Sequence, residues 1–375
     1  MKKRIFLYLL LIAYVISVSI ITYAAQNKNE SNEIIFFSKG NTDVEQFIIT
    51  KEETIIEIIG QCEGYTGEIS VGKPISVRGV SEYYYVPVFS QDKCINIITV
   101  SKYEDDYIMK SGKSFSEVIN GLPKNETYYF EKMFEADPYQ SAIYIKGRNT
   151  KIAIEAFHSC DYRNECNGEQ DLLIEEDENE VTFPVDYIAN ITIPSSNRSS
   201  GYITVSPRFQ NGGQYGYCWL CCACEISSYY GGSGIGLEGG HLVSHGSPQS
   251  PYGHSLYSCP GGSMYDVNAV VYYYTGKSGT ITTPLYAAAT VSSINNQKPI
   301  VSGWIYSSGS TTYAHAMVIV GYNKSDYSNN FMYVVHDPNN IISDNYVSSS
   351  YSATNVVYPI NGYNLSWVES IYNWN

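Results

Sequence analysis

The stretch HAMVIVGYNKSDYSNNFMYVVHDP, His315 to Pro338, constrains the fold more than any other part of the chain. Two runs rich in β-branched and aromatic residues, about 315–322 and 331–338, flank a polar loop, Asn323 to Asn330. That pattern reads as an antiparallel hairpin. Centred on the loop, positions pair when their numbers sum to about 653, so residue 315 lies opposite about 338. Cross-strand neighbours sit about 5 Å apart at Cβ. The hairpin therefore sets His315, at the start of one strand, beside Asp337, at the end of the next. A slip of one residue changes which side chains share a face.

The surrounding sequence places this hairpin in an α+β plan. A short strand, YITVS, precedes a helix from about Cys218 to Tyr230, which Gly231-Gly232 stops. MYDVNAVVYYYTG (Met264 to Gly276) carries Val267, Val270, Val271 and Tyr274 at helical spacing. The strand-like runs PIVSGWI, HAMVIVGY and FMYVVHD follow. Helices first and an antiparallel sheet afterwards is an α+β order.

The first half reads differently. IIFFS, FIIT, TIIEII, PISVRGV, YYYVPVFS, CINIITVS, SAIYIKG and KIAIEAF are strand-like, with SQDK (Ser90 to Lys93) as a hairpin turn and SFSEVINGL as the one helix expected. This predicts a β-rich antiparallel domain over 26–194 with no catalytic signature. The charge also breaks between the halves: residues 26–200 hold 30 acidic and 16 basic residues, against 7 and 4 in 201–375. The break falls near PSSNRSSGY, so residues 195–202 read as a linker and 203–375 as a second domain.

Lys2, Lys3 and Arg4 precede a 21-residue apolar run that ends at Ala24-Ala25. Residues 1–25 read as a secretory signal, and the run is also long enough to anchor the chain if it is not cut. Either outcome places the bulk of the protein outside the cytoplasm, secreted or held at the cell surface. The net charge of -14 argues against nucleic acid as a partner. Nine cysteines is an odd number for an exported chain, so at least one thiol stays free or pairs between chains. Cys160 and Cys166 bracket the short loop CDYRNEC and are close enough in sequence to pair.

Four cysteines crowd into NGGQYGYCWLCCACE: Cys218, Cys221, Cys222 and Cys224. Only Cys218 sits where a glycine-rich loop meets the helix N-terminus, where backbone dipoles favour a thiolate. The other three lie inside the helix and read as core residues or disulfide partners, with Cys259 a further candidate. Four thiolates on one helix would have to point in four directions to hold a metal, whereas structural zinc sites draw on separate pairs. His241 and His245 have i, i+4 spacing, but Leu242 stands where a metallopeptidase needs glutamate. His336 alternates to the other side of its strand and reads as a packed or solvated histidine. No metal or cofactor is expected. A cysteine with a downstream histidine and aspartate is a nucleophile constellation: the imidazole takes the thiol proton and later delivers it to a leaving group.

These motifs resemble a known family. YGYCWLCCA is similar to the Gly-x-Cys-Trp that opens the central helix of the papain-like cysteine peptidase superfamily. HAMVIVGY is similar to its His-Ala-x-x-x-Val-Gly-Tyr strand, and His336-Asp337-Pro338 occupies the slot of its Asn or Asp orienter. The C-terminal WVESIYNWN resembles the ending of the staphopain-like secreted bacterial branch. The resemblance covers about 203–375.

It implies a papain-like catalytic domain, a central helix packed on an antiparallel sheet or half-barrel. In it Cys218 is the nucleophile, His315 the general base and acid, and Asp337 the orienter. The family's oxyanion glutamine usually stands six residues before the cysteine, where this chain has Gly212. Gln210 is the preferred substitute and Gln214 the other. The second oxyanion donor is the backbone N–H of Cys218. The resemblance further implies a proenzyme, with 26–194 as an intramolecular inhibitory prodomain and protein or peptide substrates. Two other functions fit the sequence: an acyltransferase or transglutaminase-like enzyme on the same triad, and a non-catalytic extracellular binding protein.

Overall fold

A computed structural model describes residues 33–62, 64–113, 115–124, 126–134, 140–158, 178–183, 186–193, 199–208, 218–232, 237–238, 241–242, 262–308, 311–324, 329–339 and 344–375. The leader, the Cys160–Cys166 loop, Cys259, Gln210 and Gln214 lie outside these residues. The described chain is mixed α+β, with a large antiparallel sheet and six α-helices.

One uninterrupted antiparallel ladder crosses the molecule. It starts at Thr280–Thr282 and passes through Tyr363–Tyr372, Ile300–Ser308, Thr311–Lys324, Asn330–His336 and Asn345–Ser350. There it meets the first half: Asn345–Val347 pairs with Lys110–Gly112 of the strand Asp106–Gly112. The ladder continues through Lys93–Tyr103, Tyr83–Ser90, Gly67–Gly72 and Tyr187–Ile193. The larger apolar core follows the ladder across this seam. It joins Val44, Ile48, Val86, Val100 and Ile193 of the first half to Val271, Trp304, Val318 and Trp374 of the second. A smaller core around Phe36, Tyr85, Phe130 and Phe183 lies within the first half.

The expected hairpin forms, with strands Thr311–Lys324 and Asn330–His336, but its register differs from a loop-centred pairing. Val318 pairs with His336 and Ile319 with Val335; beyond an irregularity before Gly321, Tyr322 pairs with Tyr333. The shift has a physical consequence. Continued to the strand end, this register puts Asp337 opposite Met317, and residues two apart share a face. His315 and Asp337 are thus diagonal neighbours on one face. The loop-centred register would have put Asp337 opposite Ala316, on the other face.

Two runs read as strands, FIIT and TIIEII, are helical instead. They lie in Thr42–Thr50, in Glu52–Ile56 and in the π-helical segment Glu57–Cys62. Asn41 caps the first helix by accepting from the Asp43 and Val44 amides. Val44, Phe47 and Ile48 then bury one face at i, i+3, i+4 spacing. β-branched composition masked that period. Of the strand expected at YITVS only Tyr202 lies in a strand: Ser199–Tyr202 pairs with Lys324 to Gly321 of the His315 strand, and residues 203–206 follow it outside any strand. The last part of the stretch read as a linker is thus built into the sheet.

The helix Met264–Thr275 matches its apolar stripe. Ser263 and Asp266 form a reciprocal capping box, and Gly276 ends the helix with a left-handed φ of 70°. The helix Cys218–Tyr229 packs between this helix and the His315 strand. Its residues from Cys218 to Ser227 are all buried, Glu225 and Ser227 among them.

Candidate active site

Cys218 is the first residue of its helix, and His315 lies on the neighbouring strand. His315 Nε2 is 2.7 Å from Asp337 Oδ1, with both side chains 1% exposed. The Cys218 sulfur lies close enough to the same imidazole to favour its charged form. Since Nε2 faces the acid, Nδ1 is the ring nitrogen available to the sulfur. Asp337 is held from two further directions. Tyr358 donates its hydroxyl to Oδ2 at 2.8 Å, and the Asn339 backbone N–H donates to Oδ1 at 2.9 Å.

The electrostatics follow from this packing. Burial works against the charged imidazolium, but the Asp337 carboxylate and the Cys218 sulfur outweigh it and raise the His315 pKa to about 10. Burial likewise disfavours the Asp337 carboxylate, yet His315, Lys110 and the Asn339 amide hold its pKa below the usual value. The other helix thiols have no such support. Burial pushes Cys221 and Cys222 well above the ordinary thiol range and Cys224 to about 12. A buried thiol kept protonated is a poor nucleophile.

A cleft of about 410 Å³, its open mouth included, lies over Cys218 and His315. Trp219, Met264 and Trp304 give it apolar walls, and Glu369 lines it as well. Two glycines make room. A Cβ on Gly262 would sit 2.3 Å from the Trp219 ring, and one on Gly303 would sit 2.5 Å from Met264 Cε and 2.8 Å from Glu369 Cγ. Burial raises the pKa of the Glu369 carboxyl. Among the described residues no cation pairs with it.

Behind the strand, His336 does more than pack. Its Nδ1 bonds Glu225 Oε1 and its Nε2 lies 3.2 Å from Asp344 Oδ1. Burial would lower its pKa, but the two carboxylates raise it to about 9. Glu225 lies seven residues after Cys218, two helical turns on and on the same side. A lone carboxylate inside a helix of cysteines and apolar residues is the sequence signal for this contact.

Among the described residues no group of three or more histidine, cysteine, aspartate or glutamate side chains is arranged to hold a metal ion. His241 falls in a two-residue strand, and His245 lies outside the described residues. Also among the described residues, no helix is long and apolar enough to cross a membrane.

A helix-borne cysteine, a strand-borne histidine and a carboxylate behind it can carry out nucleophilic acyl transfer. Comparison with known families points to the same class. Residues 202–365, a little under half of the chain, match the Peptidase_C39 like family. The match supports a papain-like cysteine peptidase relationship and a cysteine-type peptidase function. No curated protein matches the chain.

Proposed function

We propose that the chain is an exported cysteine endopeptidase of papain-like arrangement, with Cys218, His315 and Asp337 as its catalytic triad. The C-terminal WVESIYNWN, which resembles the ending of the staphopain-like secreted branch, supports a place in that branch. The observation that carries this reading is the meeting of Cys218 and His315 in one cleft, with His315 fixed on a buried acid.

The sulfur attacks the scissile carbonyl carbon and the tetrahedral oxyanion forms. The backbone N–H of Cys218 and a glutamine side chain, Gln210 or Gln214, stabilise that oxyanion. His315 gives its proton to the leaving amine, and the C–N bond breaks. Water, deprotonated by His315, then attacks the thioester and releases the acid and the thiol. Asp337 keeps the imidazole oriented and favours its charged form throughout.

The test is cleavage of a denatured protein by the full chain and by its Cys218→Ala variant. The variant should lose activity by several orders of magnitude. Equal cleavage by both would remove the proposal. Product analysis with an added amine separates hydrolysis from acyl transfer.

A further inference from the structure

We infer that the N-terminal half is a resident part of the peptidase which steadies the catalytic acid from behind through Lys110, and not an inhibitor that fills the cleft and is shed. This rests on Asp337 being the orienter in the proposed triad.

The sheet seam places Lys110 opposite Val347. Its ammonium is buried, 2.6 Å from Glu155 Oε1, and sits 4.5 Å from the centroid of the Tyr358 ring. Tyr358 is the residue whose hydroxyl holds Asp337 Oδ2 at 2.8 Å. One aromatic ring therefore separates a cation of the first half from the acid of the second. Glu155 Oε2 accepts from the Tyr83 and Tyr85 hydroxyls and, at 2.7 Å, from the Asn361 backbone N–H. Lys132 Nζ donates to the Asn361 carbonyl at 2.9 Å. Asn361 and Gly362 form the left-handed turn, with φ of 49° and 76°, that joins the strand carrying Tyr358 to the last strand. The first half thus grips both the face of the Tyr358 ring and the turn that follows it.

Three further observations separate a resident half from a removable one. The antiparallel ladder runs through the seam without a break. The larger apolar core is shared by both halves. Among the described residues, every side chain lining the cleft comes from the second half. An inhibitory segment would lie across the cleft. The described residues of the first half pack on the opposite side of the triad, where Lys110 touches Tyr358.

The groups facing Asp337 are His315 on the neighbouring strand, Cys222 on the helix side, and Tyr358 with Lys110 on the seam side, while Cys218 faces His315. Glu155 and Lys132 lie beyond Lys110 and Tyr358. Removing the Lys110 cation raises the Asp337 pKa, so the acid limb of the activity profile should move to higher pH.

Two experiments on the full chain test this. In the first, a recognition site for a sequence-specific protease is inserted between Ile193 and Ser199 and cut. The halves should co-elute at the size of the intact chain and retain its activity. A second half that elutes alone and is more active than the uncut chain would overturn the inference. In the second, Lys110→Gln is combined with Glu155→Gln, so that neither partner of that ion pair is left buried without the other. The double variant should lose roughly tenfold in kcat with little change in KM, because a misplaced orienter costs turnover. Its acid limb should also move up. A folded double variant with an unchanged pH profile would overturn the role of Lys110. If the variant does not fold, the cutting experiment still decides. Failure of the triad reading shows separately, as an intact chain whose Cys218 does not react with a thiol probe.

Discussion

His336 supplies a prediction whose size follows from its surroundings. The side chain is buried between Glu225, on the helix that begins at Cys218, and Asp344, just before the next strand. Its pKa rises from 6.5 in an unfolded chain to about 9. A raised histidine contributes stability that is complete below the unfolded value and is lost as pH climbs through the folded one. At about 1.4 kcal/mol per pH unit, the rise is worth on the order of 3 kcal/mol, lost between about pH 6.5 and about pH 9. His336→Gln keeps a polar side chain but no titration in that window. The variant should be less stable than wild type at about pH 6.5 by several kcal/mol, because it also leaves a buried carboxylate unpaired. The gap should close by most of that 3 kcal/mol on going to about pH 9. His315 titrates in both proteins, so the comparison isolates His336. Glu225, whose pKa burial lifts above 4.5, adds a loss that begins at lower pH. Denaturant unfolding of both proteins across this range is the assay. Parallel stability curves would refute the assignment of charge to His336.

Other perturbations give simpler outcomes. Asp337→Ala should lower kcat by two or more orders of magnitude, read in a peptidase assay, because His315 loses both its orientation and the charge that favours its protonated form. Glu369→Gln should raise KM about tenfold for peptides whose lysine or arginine reaches the cleft, and leave neutral peptides within twofold; the same loss should appear in wild type as pH falls and the carboxyl protonates. Gly262→Ala should lower the melting temperature, since its methyl group would have to enter the Trp219 ring.

Much of the second half was legible because its signals are local. A run of β-branched residues, a turn and a second run define a hairpin without further information, and Gly276 and Gly231 mark helix ends for a backbone reason. The register was less legible: an irregularity between Ile319 and Gly321 shifts the pairing, and the composition of the loop carries no trace of it. In the first half, FIIT and TIIEII have strand composition and helical burial, and the cap at Asn41 was the stronger signal. The contacts that tune the site lie beyond local reading. Glu225 is 111 positions from His336, and Asn361 is 206 from Glu155. Such pairs are set by how the sheet closes. Tyr358, one of 37 tyrosines, is distinguished by position alone.

The central claim is that one sulfur among several is made reactive by one imidazole. Labelling the native full chain at neutral pH with a limiting amount of iodoacetamide, followed by peptide mapping, measures this directly. Alkylation is expected at Cys218, with Cys221, Cys222 and Cys224 unmodified, and labelling of Cys218 should be slow in His315→Ala. Modification spread over the helix cysteines, or a Cys218 rate indifferent to His315, would contradict it.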